Sequence, residues 1–135
     1  MTEQSTSEAQ TEQTVVVSRS VGRPVKDVWG VLVTPKGAEA LLGEGGTIGD
    51  KGHAWRAADG TFGVVRSYHP LEQIRFSWHA GEDAPKSLVD LHLISETDAS
   101  TKLEIRHEHV PGGLDPQTLT KHWGAALDTL VAVHD

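Results

Sequence analysis

His107 is the residue whose type and setting come closest to chemistry. It follows Leu103 and Ile105 at every second position of the run Thr101 to His109, so all three share one face of a predicted strand. An imidazole on an apolar face is the side chain best suited to exchange protons near neutral pH. The commoner occupant of such a position is a core histidine bonded to a neighbour or a water. His109 shares the parity but falls at the strand end, where solvent reaches it. Together the two histidines could be taken for metal ligands. A zinc site takes three or four ligands, however, and His53, His69, His79, His92, His122 and His134 are scattered without ligand spacing. No metal and no other cofactor is expected.

The other chemistry-bearing residues are aromatic. Trp78 ends an alternating run with Ile74 and Phe76, and Trp123 sits in the apolar stripe of the last helix. Both suit pocket walls, whereas Trp29 suits packing of a helix on a sheet. Tyr68 could present a hydroxyl, but a bulge near Pro70 leaves its face open. Nucleophilic catalysis has little support: there is no Gly-x-Ser-x-Gly elbow, no cysteine and no Ser/His pair at a telling spacing. Asp90 and Glu104 fall on the polar parity of their strands, so no inward pair of carboxylates is expected. The glycine-rich stretch Gly43 to Gly52 fails as a phosphate cradle. Ile48 stands where a dinucleotide fingerprint needs glycine, no Gly-Lys-Ser/Thr follows, and Glu44 and Asp50 repel phosphate. It reads as a turn, at most a pocket rim.

The elements that must position these residues follow from periodicity. Thr14 to Val21 predicts a strand with Val15, Val17 and Val21 on one face and Arg19 on the same parity, either snorkelling outward at the strand end or buried as a charge that needs a partner. Pro24 opens a helix with Val25, Val28, Trp29 and Leu32 in its stripe. Thr34 caps a second helix that begins at Pro35 and carries Ala38, Leu41 and Leu42. Strands follow at His53 to Ala57, Thr61 to His69 across an Asp59-Gly60 hairpin, Ile74 to His79, and Lys86 to Ser95. The last is Thr101 to His109, after a turn at Glu96 to Ser100. Leu114 to Asp135 predicts one long helix, with Asp115 as cap, Pro116 at its first position, and Leu119, Trp123, Ala126, Leu127 and Leu130 in its stripe. A lone long helix with one apolar face needs a sheet to lie on. The fold class is therefore α+β.

Composition narrows the partners. The chain has 135 residues, 12 Lys and Arg against 19 Asp and Glu, a net charge of −7, and no cysteine. The acidic balance argues against general nucleic-acid binding, though it leaves room for a local basic patch. No apolar run is long enough to span a membrane, and no signal-peptide core is present. The absence of cysteine fits a reducing interior, so a cytoplasmic location is expected. Residues 1–13, rich in Ser, Thr, Gln and Glu, read as a disordered leader before a single domain over 14–135.

The order of elements, with these residues, resembles the START/SRPBCC superfamily, the helix-grip fold. Within it the chain is similar to the branch named for homologues of the activator of heat-shock chaperone ATPase. The marks are Pro24 with Val28-Trp29, Thr34-Pro35, Gly63, the strand ending in Trp78, the run Thr101-Lys102-Leu103-Glu104-Ile105-Arg106-His107, and Trp123 with Leu127 and Leu130. One departure is plain: relatives place a tryptophan at the end of the second helix, where this chain has Leu41-Leu42 running into glycines. A pocket mouth shaped by that tryptophan would be looser here. The resemblance implies a curved antiparallel sheet of about six to seven strands around the C-terminal helix, with a cavity between them and two short helices after the first strand.

The leading expectation is a non-catalytic domain that binds a small apolar or aromatic ligand in that cavity. Trp78, His107 and Trp123 would be its foremost contacts, with Phe76, Leu91, Ile105 and Leu127 around them. A chaperone-partner module, as the family name suggests, is the second reading. A polyketide cyclase or dehydratase is the third, and it would need polar groups beyond His107, such as an inward Arg19 or Tyr68. Monomer and homodimer both remain open.

Overall fold

The computed structural model describes residues 13–110 and 114–132. Strand β1 (Gln13–Val21) leads to helices α1 (Val25–Leu32) and α2 (Pro35–Leu42). Strands β2 (Ala54–Arg56), β3 (Phe62–His69), β4 (Gln73–Trp78), β5 (Ser87–Thr97) and β6 (Ser100–Val110) follow, and α3 (Pro116–Ala132) comes last. Gln13, expected in the leader, instead opens β1 and pairs with Val110. The rest of that leader and the end of the last helix past Ala132 lie outside the described residues.

The six strands form one antiparallel sheet in the order β1-β6-β5-β4-β3-β2. The register aligns the inner residues across strands: Val17 with Ile105, Ile105 with Leu91, Leu91 with Ile74, and His107 with Val89. Helix α3 lies on this face with Leu119, Trp123, Ala126, Leu127 and Leu130 buried. The helix starts where the sequence indicates. The Asp115 carboxylate accepts from the Gln117 N–H at 3.2 Å and the Thr118 hydroxyl at 3.0 Å. Thr34 likewise caps α2, accepting from the Gly37 N–H at 3.1 Å. The turn expected over Glu96 to Ser100 is tighter than that: β5 continues to Thr97 and β6 begins at Ser100.

Two irregularities shape the sheet. In β3 the register slips between Val65 and Ser67, so Arg66 is an extra residue in the strand. The slip returns Tyr68 to the inner side, where its ring meets Trp29 edge-on at 5.5 Å. The second irregularity is a pinch between β3 and β4 at Gly63. A Cβ at Gly63 would lie 1.8 Å from the Ser77 carbonyl oxygen and 2.9 Å from the Trp55 indole nitrogen. Ser77, on the opposite parity to Ile74, Phe76 and Trp78, is buried there, and its hydroxyl accepts from the Val64 N–H at 2.9 Å. The Trp55 indole N–H, covering the glycine, has no acceptor among the described residues.

Gly63→Ala should therefore separate β3 from β4. Overpacking of this kind costs about 1–3 kcal/mol, and a backbone clash puts it at the upper end. Urea denaturation should show a midpoint well below that of the parent protein.

Candidate functional site

The structure brings together the seven residues the sequence offers as ligand contacts. Phe76 and Trp78 on β4, Leu91 on β5, and Ile105 and His107 on β6 face Trp123 and Leu127 on α3, and all are buried. Their rings touch directly. Trp78 lies 5.0 Å from His107 and 5.9 Å from Trp123 between centroids, and Phe76 lies 6.5 Å from Trp123. These rings pack against one another across the space between sheet and helix where the sequence expects a ligand. Toward the other end of α3, a void bordered by Val21, Val28, Leu103 and Leu130 measures about 10 Å³, room for about one water.

His107 is wholly buried and fully bonded. The Trp123 indole N–H donates to His107 Nδ1 at 3.0 Å. An indole nitrogen can only donate, so Nδ1 carries the lone pair and Nε2 carries the proton. Nε2–H then donates to Ser87 Oγ at 2.7 Å, and the Ser87 hydroxyl donates to the Trp78 carbonyl at 2.9 Å. Every hydrogen bond in this chain has one direction. Burial pushes the imidazole from its ordinary 6.5 down to about 4, with the neighbouring His122 acting the same way. No lone pair or proton of His107 is left for a substrate. His109 parts from it: its backbone turns to φ +58°, its side chain is exposed, and Val110 takes the buried position instead.

Two other residues complete the region. His122 stacks edge-on against Trp123 at 4.6 Å and lies 6.1 Å from Trp78. Burial lowers its pKa, against an opposing pull from Asp59. Burial would raise the Asp59 carboxyl, but the hydroxyl and N–H of Thr61, at 2.7 and 3.0 Å, together with His122, hold it below its ordinary value. His122 also borders a groove of about 210 Å³ between α2 and α3, lined by Ala40, Leu41, Gly43, Ala125, Ala126 and Thr129. The groove lies at the end of α2, where the resemblance expects a tryptophan. Ser87 shares the parity of Val89 and Leu91, so the alternation alone could have placed it inward. The nearness of Asp59 to His122 leaves no local signal, since one is in a hairpin and the other on the last helix. Arg19 snorkels: it crosses Gly124 and pairs with Asp128 at 2.8 Å, both side chains exposed.

The family model described as Activator of Hsp90 ATPase homolog 1-like protein matches residues 23–135. The chain belongs to that family. Its sheet, long helix and two short helices are the helix-grip architecture of the START/SRPBCC superfamily. Similar solved structures agree. CalU16 from Micromonospora echinospora superposes with a TM-score of 0.74 at 22% identity, covering 90% of this chain and 77% of that one. DynU16, from the dynemicin biosynthetic locus, gives 0.71 at 24% identity; 87% of this chain aligns, spanning 45% of DynU16. PFC0360w, an HSP90 activator from Plasmodium falciparum, gives 0.62 at 14% identity, over 73% of this chain and 74% of that one. At these identities the likeness is one of fold. No curated protein matches the sequence.

The buried histidine makes stability pH-dependent within the family fold. The unfolded chain takes up a proton near 6.5, whereas the folded one resists to about 4. Stability is thus lost as pH falls through that window, by about 3 kcal/mol at roughly 1.4 kcal/mol per unit. A His107→Gln variant keeps an amide acceptor and donor but cannot titrate. Urea titrations at pH 7 and pH 4 should show a loss smaller by about that amount in the variant.

Proposed function

We propose that this domain binds a small apolar or aromatic molecule at the helix-grip core, reached through the groove between α2 and α3. One observation carries the reading: an apolar groove of about 210 Å³ ends at His122, whose ring rests on Trp123 and Trp78. Ligand sites of this make-up usually measure about 300–1,000 Å³. The groove therefore suits a single ring system, or one end of a longer molecule. Trp78 and Trp123 are the ligand-facing walls once the His122 side chain moves aside. Phe76, Leu91, Ile105 and Leu127 stand behind them. His107 is a neutral wall that sets the pose of Trp123 rather than a proton donor, so the reading is of binding without catalysis. The chaperone-partner reading rests on the family name and on one structural relative, the Plasmodium HSP90 activator, whose likeness to this chain is one of fold.

The test is titration with the neutral dye N-phenyl-1-naphthylamine. Saturable fluorescence enhancement is expected, with quenching of tryptophan emission. An Ala125→Trp variant, which fills the groove from the exposed side of α3, should abolish it. Binding that is unchanged in Ala125→Trp, or no saturable binding to the parent protein, contradicts the proposal.

A further inference from the structure

The face of the sheet turned away from α3 carries a feature that the groove does not use. A hollow of about 340 Å³ is lined by Lys51, Arg66, Ser67, Arg75, Lys86 and Leu88. Four of its six lining residues are cations, in a chain whose net charge is −7. The irregularity in β3 builds it. Because Arg66 is the extra residue of the bulge, Arg66 and Ser67 emerge side by side on the outer face instead of alternating. Ser67 pairs with Arg75 across the β3–β4 ladder, bringing the second guanidinium in. The turn before β2 is tied to the same strand by backbone bonds. Gly52 N–H donates to the Val65 carbonyl at 2.8 Å and Val65 N–H to the His53 carbonyl at 2.8 Å, which sets Lys51 beside Arg66. Lys86 arrives from the residue before β5.

Elsewhere on the outer face two cations have carboxylate neighbours, while Arg56 lies over the Phe62 ring, 5.0 Å from its centroid. Lys102 lies 3.8 Å from Glu104, and Arg106 lies 3.8 Å from Glu108. In the hollow, Arg75 has carboxylate neighbours, Glu108 at 3.4 Å and Asp90 at 3.9 Å. Lys51, Arg66 and Lys86 have no carboxylate partner among the described residues. Like charges gathered at one site repel, and a bound anion of two or more charges removes that cost. Guanidinium forks hold phosphate or carboxylate oxygens in pairs, and ammonium groups add point charge.

We propose that this hollow is a binding site for a small polyanion, a phosphate- or polycarboxylate-bearing molecule, gripped by Arg66 and Arg75 with Lys51, Lys86 and the Ser67 hydroxyl around it. The site stands apart from the groove and does not depend on it.

The experiment is a ¹H–¹⁵N titration of the full chain with inorganic pyrophosphate and, separately, with citrate, both at constant ionic strength. Saturable shifts are expected at residues 51–52, 66–67, 75 and 86–88. The tighter of the two probes identifies the headgroup class. Arg66→Gln and Lys86→Gln, both at exposed positions, should each weaken binding about tenfold, while Lys36→Gln on α2 should leave it unchanged. Shifts that rise linearly without saturation overturn the proposal. So does an equal loss in Lys36→Gln, which would mark general screening of a charged surface.

Discussion

The hydrogen-bonded chain from Trp123 through His107 and Ser87 to the Trp78 carbonyl is the interaction on which the rest of this structure depends. It joins the long helix to β6, β5 and β4, the middle of the sheet. Its direction is forced, because an indole can only donate and a carbonyl can only accept. That leaves the histidine one tautomer and no charge. A buried polar chain of this kind stabilises only when every member is satisfied. Here each is, so these polar groups lie inside an apolar core without an orphan among them.

This arrangement fixes what the core can do. A histidine with both ring nitrogens engaged is a structural part that orients two tryptophans between helix and sheet. The proposed route for a ligand is from the side. The end of α2 is where the wall is thin, since Leu41 and Leu42 turn inward and Gly43 follows. His122 stands at that edge, half-buried, between the groove and the Trp78–Trp123 pair. The outer face is organised separately, by the bulge at Arg66. A single extra residue therefore shapes both sides: it turns Tyr68 inward to Trp29 and sets two polar side chains outward together.

Much of this is legible in the sequence. Alternation in Ile74–Trp78 and Leu103–His107, and the stripe Leu119–Trp123–Leu127, point to the correct faces because burial on one side imposes a period of two or 3.6. The caps at Thr34 and Asp115 are local chemistry and read directly. What escapes depends on long-range pairing. The partners of His107 come from residues 20 and 16 positions away, and only the register reveals that Ser87 meets its Nε2. Parity aims Ser77 at solvent, but the pinch at Gly63 buries its hydroxyl against β3. How closely the rings of Trp78, His107 and Trp123 pack is a matter of side-chain volume, to which periodicity is blind.

The most direct measurement is a long-range ¹H–¹⁵N spectrum of the histidine rings, followed from pH 7 to about pH 5, above the depressed titration of the buried ring. The hydrogen-bonded chain requires that His107 show a protonated Nε2 and an unprotonated Nδ1 across the whole range, with the Trp123 indole proton shifted as a hydrogen-bond donor. A His107 ring in the other tautomer, or one that becomes doubly protonated at the ordinary imidazole pKa, would contradict it.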